Sequence, residues 1–331
     1  MGRILKQQGV GTRILAVVLI LSGNLFSCKP DDTGIDYRQE MRNLVIGMSE
    51  YAKKEHPGFL IIPQNGQELI THNGESTGIL HLKYAQSING SGREDLFFGY
   101  NADDEATPLL EKNQMLALSK LCKESGVEVL VTDYCSTLSN IDSSYRWNNQ
   151  NGFISFAAPE RNLNVIPAYP AKPYNENGSS MESIHSVRNF LYLIDGENYK
   201  TKADFINAVS ATWYDMIVMD LFQFEVAFTS DEINRLKAKP NGNKRFVVCY
   251  LSIGEAEDYR YYWQADWKIN KPAWLEAENP DWKGNYKVQY WDSAWHQIIY
   301  GKTDSYLDKI ISTGFDGAYL DLVDAYEYFE K

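Results

Sequence analysis

Eight short β-rich runs, at residues 59–63, 84–89, 127–133, 190–194, 216–221, 246–252, 286–291 and 317–323, alternate with helix-like amphipathic stretches. The helical candidates include 41–54, 114–125, 202–212, 230–238 and 295–312. Alternation of this kind predicts an α/β domain rather than a sandwich, and eight strands are what a closed (β/α)8 barrel requires. The competing architecture is an open doubly wound sheet, but no glycine-rich phosphate turn follows any of the runs. The reading is therefore a single (β/α)8 TIM barrel over residues 37–331. A ninth strand-like run, 153–157, is assigned to a long loop at 134–188. A second long loop, 254–285, is rich in Trp, Tyr and Pro. Long ordered loops in compact domains are commonly functional.

The first 28 residues have the parts of a lipoprotein signal peptide: basic Arg3, Lys6 and Arg13, then an apolar stretch at 14–22. That stretch is too short to span a bilayer comfortably. It leads into Leu25-Phe26-Ser27-Cys28, which reads as a lipobox with Cys28 as the lipidated residue. Residues 29–36 read as a polar tether. The expectation is an extracytoplasmic protein, held to a bacterial membrane by its N-terminal lipid only.

A net charge of −12 lacks the basic footprint that phosphate backbones demand, so nucleic acid is excluded as a partner. Cys122, Cys135 and Cys249 are odd in number and show no CxxC spacing, which predicts buried free thiols. The five histidines have no HExxH spacing, and no GxSxG elbow or Walker loop is present. No cofactor and no metal are expected, with a hydrolase using a metal held by carboxylates alone as the residual alternative.

Reactive residues of a barrel sit where strands end and βα loops begin. Polar residues occupy those positions repeatedly here: Gln64 and Asn65, Arg93-Glu94-Asp95, Asp133-Tyr134, Asp220, Ser252 to Glu255, Trp291-Asp292, and Asp321 with Asp324. Glycosidic hydrolysis needs two carboxyl groups across the scissile bond. In the run 317–323, alternation puts Tyr319 and Asp321 on one face and Leu320 and Leu322 on the other. An Asp in an apolar strand is costly unless it lines a polar mouth or joins a buried ion pair. Asp324 is a substrate contact or a loop cap, and Asp220 a site residue or a structural cap or salt bridge. Glu255 is a candidate for sugar hydroxyls, while Glu257 and Asp258 read equally as a solvated turn. Six of the eight Trp lie between Trp263 and Trp295. Their clustering favours sugar stacking over core packing, with Trp263, Trp267, Trp282 and Trp291 as the candidates.

The runs Tyr250-Leu251-Ser252-Ile253-Gly254-Glu255-Ala256-Glu257-Asp258-Tyr259-Arg260, Glu278-Asn279-Pro280-Asp281-Trp282, Gly284-Asn285-Tyr286-Lys287-Val288 and Gly314-Phe315-Asp316-Gly317-Ala318-Tyr319-Leu320-Asp321 resemble the glycoside hydrolase family 114 group. The resemblance is nearest to its prokaryotic branch. It implies a TIM barrel and, from the characterised members, endo-α-1,4-polygalactosaminidase chemistry. Residues 41–69, with Ile62-Pro63-Gln64-Asn65-Gly66, also resemble the family, but there they follow the strand ending in the YLDxxD pattern. The chain therefore reads as circularly permuted, with 190–194 as the family's first strand. The resemblance maps the catalytic pair onto Asp321 and Glu94, with Asp95 a possible substitute for Glu94. Asp220, Tyr250, Glu255, Asn65, Asp133, Tyr319, Asp324, Trp291 and Asp292 are then expected to bind substrate. The expected partner is a poly- or oligosaccharide, amino-sugar-rich in keeping with the acidic charge, and the expected state is a monomer. The competing reading is a surface lipoprotein that binds glycan without cleaving it.

Overall fold

The computed structural model describes residues 34–330. The signal peptide, Cys28 and most of the tether lie outside the described residues. Helix α1 (Tyr37–Glu55) begins at Asp36, whose carboxylate accepts from the Gln39 N–H at 2.9 Å. Then come β1 (Leu60–Pro63), α2 (Leu82–Ser87), β2 (Gly90–Glu94), α3 (Leu109–Glu124), β3 (Glu128–Tyr134), α4 (Leu138–Gln150) and β4 (Ile154–Ala158). An irregular connection leads to β5 (Phe190–Tyr192), α5 (Lys202–Ser210) and β6 (Met216–Met219). A small hairpin, β7 (Phe222–Gln223) with β8 (Val226–Ala227), precedes α6 (Ser230–Leu236) and β9 (Phe246–Ser252). Strands β10 (Glu255–Glu257), β11 (Leu275–Glu278) and β12 (Asn285–Val288) form an antiparallel sheet in the loop that follows. Helices α7 (Ser293–Ile299) and α8 (Tyr306–Thr313) lead to β13 (Gly317–Asp321) and α9 (Tyr326–Phe329).

The framework is α/β with parallel strands, ordered β1-β13-β9-β6-β5 in one sheet and β2-β3-β4 in another. A parallel bridge between Gln64 and Gly92 joins β1 to β2. On the other side, the Phe156 ring of β4 lies 5.8 Å from that of Phe190 in β5. Strands buried on both faces read as continuous apolar runs, as in Val247-Val248-Cys249 and Met216-Ile217-Val218-Met219, all fully buried. Each such Val or Ile contributes about 1.5–3 kcal/mol relative to exposure.

Three expectations need correction. The run 84–89 is helical over most of its length, not a strand. Tyr84, Ala85 and Ile88 are buried, with Tyr84 and Ile88 four residues apart as on one helix face, and His81 Nδ1 accepts from the Tyr84 N–H to start the turn. The framework strand follows directly as Gly90-Ser91-Gly92-Arg93-Glu94, a run poor in strand formers and therefore missed. The run 153–157, assigned to a loop, is β4, paired in parallel with β3 from Leu130↔Ile154 to Tyr134↔Ala158. The run 286–291 belongs to the antiparallel loop sheet, where Tyr286 pairs with Ala256. The count of eight parallel strands survives because β2 and β4 replace the two false candidates at 84–89 and 286–291. The helix expected at 295–312 is also divided, at Tyr300 and Gly301, into α7 and α8.

Candidate active site

Glu94 ends β2, Asp321 ends β13 and Gln64 follows β1, so three C-terminal strand ends converge. The Gln64 amide nitrogen donates to Glu94 Oε2 and to Asp321 Oδ1, at 2.9 Å in each case. Those two carboxylate oxygens thus lie no further apart than twice that distance. The Tyr192 hydroxyl of β5 donates to Gln64 Oε1 at 3.0 Å, which fixes the amide with its NH2 toward the carboxylates. Asn65 Nδ2 donates to Glu94 Oε2 at 3.0 Å and the Tyr134 hydroxyl to Oε1. Asp321 accepts from the Tyr250 hydroxyl at 2.6 Å and from the Leu322 N–H at 2.8 Å.

The backbone turns sharply just past these strand ends. Asn65, Asp95 and Leu322 have φ of 60°, 58° and 60°, in the left-handed region. Asn and Asp tolerate that region, whereas Leu does so at a cost of about 1–3 kcal/mol. The turn at Leu322 lets its N–H reach back to the Asp321 carboxylate.

Asp321 is largely enclosed by protein yet keeps some surface open to solvent. Burial first, and then the negative charge of Glu94, push its carboxyl up to about 7, against the pull of the Tyr250 hydroxyl. Asp324 is raised to about 6, again by burial first, then by Glu327 and Glu94, with Arg93 opposing. Asp95, the substitute for Glu94 in the sequence reading, is turned to Arg161, whose guanidinium donates to it at 3.0 Å. The geometry brings Glu94, not Asp95, to Asp321.

Other candidates are placed differently. Asp133 is fully buried and accepts from the Phe97 N–H, the Ser144 hydroxyl and the Asn148 amide, at 2.8, 2.6 and 3.1 Å. Its oxygens are spent on bracing the loop after β2 against α4, so the expectation that it lines a pocket is corrected. Tyr319 is buried beneath the pair, its ring 5.1 Å from Tyr192 and its hydroxyl against Gly92. Asp220 binds Arg260, which also holds Glu257, at 2.7 and 2.6 Å. Glu255 is buried, paired with Lys287 and with Asn279 Nδ2. Asp292 caps α7, accepting from the Ala294 N–H at 2.7 Å.

The tryptophans divide similarly. Trp263, Trp267, Trp274 and Trp295 form a packed ladder with centroid spacings of 5.2, 5.0 and 5.0 Å, and Trp291 sits between Tyr37 and Phe329. Clustering in sequence here marks core packing; of the four stacking candidates, Trp282 alone is largely open, at 51%. Cys122, Cys135 and Cys249 are buried free thiols. No group of three or more His, Cys, Asp and Glu side chains able to hold a metal ion is found among the described residues. The sequence reading gave no role to Tyr134, Tyr192 or the bridging of Gln64. Their only signal was position at or near strand ends.

Two carboxyl groups held together at the C-terminal ends of parallel strands, one of them pushed up by burial and its neighbour's charge, are an arrangement that acid–base hydrolysis can use. Residues 179–331 match the model of glycoside-hydrolase family GH114, and this part of the chain is similar to that family. That relationship supports a glycosidase. Similar proteins include an uncharacterised protein of Deinococcus radiodurans, 43% identical over 122 residues, which are 37% of each chain. Another, from Methanocaldococcus jannaschii, is 48% identical over 104 residues, 31% of this chain and 28% of that protein. A third, from Thermotoga maritima, is 50% identical over 84 residues, 25% of each. The matched stretch spans from a quarter to little more than a third of these relatives' lengths. Asp321, Tyr250 and Asp220 fall within the family match, whereas Glu94, Gln64 and Asn65 fall outside it.

Proposed function

We propose that this chain is a retaining glycosidase acting on a polysaccharide, with Asp321 as general acid and Glu94 as nucleophile. The observation that carries this reading is the Gln64 amide bonded to both carboxylates at 2.9 Å. Retaining enzymes hold their carboxyl groups about 5–5.5 Å apart, and inverting ones about 6.5–9.5 Å apart to admit a water. The limit set by the shared amide, twice 2.9 Å between those two oxygens, lies below the inverting range, which favours the retaining reading. Glu94 attacks the anomeric carbon as the bond to the leaving oxygen breaks, and the Asp321 proton passes to that oxygen. Water then attacks the glycosyl–Glu94 ester, gives its proton to Asp321 and releases Glu94. The raised pKa of Asp321 suits it to hold the first proton near neutral pH.

In this reading the two parallel sheets close into one (β/α)8 barrel through the Gln64–Gly92 bridge and the β4–β5 contact, circularly permuted relative to the family. The substrate is an amino-sugar-rich, α-1,4-galactosaminan-like polysaccharide. The carboxylates Glu94, Asp321 and Asp324 near one another, on a chain of net charge −12, suit a cationic polymer. Incubation with deacetylated galactosaminan, chitosan and a neutral glycan tests it. Wild type is expected to release reducing ends, with Asp321→Asn and Glu94→Gln slower by at least about a hundredfold. Turnover equal to wild type in either variant rejects the pair, and binding without products supports the alternative of a non-catalytic glycan-binding lipoprotein.

A further inference from the structure

We propose that Tyr259 is the stacking platform of a sugar subsite beside Asp321, taking the C–H face of one pyranose unit of a glycan on its open ring. This deepens the glycosidase reading and rests on it.

Tyr259 follows β10 at the start of the long loop and is unlike the packed Trp263, Trp267 and Trp274 of the same loop. The residue is 54% exposed, yet its hydroxyl donates to Oε1 of the buried Glu257. Glu257 is itself 2% exposed and held by Arg260 at 2.6 Å, and the Arg260 guanidinium sits 5.2 Å from the Tyr259 ring centroid. The ring is thus pinned at its polar end and flanked by a cation that is fixed in turn by Asp220 at 2.7 Å. An open aromatic face with no rotamer freedom left to lose is the arrangement that binds a flat apolar surface at low entropic cost.

Location connects this face to the carboxylates. Arg260 ties Glu257, and through it the Tyr259 hydroxyl, to Asp220 just past β6; β6 pairs with β9 at Met219↔Cys249, and the next residue of β9, Tyr250, donates to Asp321 at 2.6 Å. The platform therefore flanks the reacting centre on the side of β9 and β6. Two other open aromatics are held elsewhere: Tyr261 donates to the Asp304 carbonyl and Tyr169 to the Asp142 carboxylate. Because a pyranose face carries no charge, this subsite reads the presence of a neighbouring sugar unit rather than its amino group.

The test measures binding of oligosaccharides of α-1,4-galactosamine and of chitosan by the hydrolysis-blocked Asp321→Asn protein. Adding Tyr259→Ala is expected to weaken binding about tenfold, and adding Tyr259→Trp to restore it. In otherwise wild-type enzyme, Tyr259→Ala is expected to raise KM with kcat held, while Tyr259→Trp keeps both. Equal affinity with and without Tyr259→Ala overturns the platform and leaves the glycosidase reading standing. Equal weakening by Ala and Trp, with unchanged melting temperatures, also overturns it. No binding of either probe by Asp321→Asn, together with no turnover by wild type, overturns both readings.

Discussion

Gly92 shows how one residue of the site dictates another. A Cβ at this position would meet the Tyr319 hydroxyl at 2.0 Å, so the strand that presents Glu94 needs glycine two residues before it. Strand propensity is sacrificed there for close approach of an aromatic layer. Asp321 carries a comparable cost, with a sign that is open to measurement. Its folded-state pKa is about 7, above the ordinary carboxylate value. Between the two values the folded state keeps a proton that the unfolded state has lost, so stability falls as pH rises through that window and is level above it. Asp321→Asn removes the titration. Its melting temperature is expected to gain on wild type from about pH 4 to about pH 7 and to hold that gain at higher pH. A difference independent of pH would show that the Asp321 proton is not linked to folding. The same proton sets the alkaline limb of activity, which is expected to fall above about pH 7 as Asp321 ionises.

Among the elements, strands with continuous apolar sequence were legible and polar ones were not. Strands β6, β9 and β13 announce themselves, whereas β2 reads as a turn because Gly, Ser, Arg and Glu dominate it. The sequence exposed Asp321 because it interrupts an apolar run, whereas Glu94 was one of several polar residues past strand ends and was singled out by family resemblance. The bridging by Gln64 is a tertiary event that no local pattern encodes. The connection between β4 and β5 is the least regular part of the framework. It carries one short 3-10 turn, Ile184–Ser186, and no α-helix. It is fastened by the fully buried Lys239–Asp215 pair, to which Asn177 Nδ2 and the Arg188 N–H add donors at 2.7 and 2.8 Å. At the other seam, Arg38 of α1 pairs with Glu330 at 2.9 Å and Tyr37 stacks 5.5 Å from Phe329. The proposed permutation would account for both, with α1 continuing from α9 and the irregular connection spanning the family's original ends. Joining residue 330 to 37 through a short linker and opening the chain between the exposed Ala171 and Lys172 should preserve the circular-dichroism spectrum and cooperative melting. Loss of cooperative melting would count against the permuted order.

At the scale of the whole molecule, an acidic domain is proposed to be held by its N-terminal lipid, with its carboxylate site facing an extracellular polymer. Partition into the membrane fraction is expected for the full chain and is expected to be lost in Cys28→Ser; equal partition would remove the lipid anchor. Family relationship covers the half of the site that holds Asp321, and three-dimensional convergence supplies the half that holds Glu94. The central claim is that these halves act as one retaining pair. Proton NMR of the reducing ends formed first from α-1,4-galactosaminan tests it most directly, with Glu94→Gln alongside wild type. The account predicts α-configured first products from wild type and none from the variant. First products of β configuration, or undiminished product from Glu94→Gln, would contradict it.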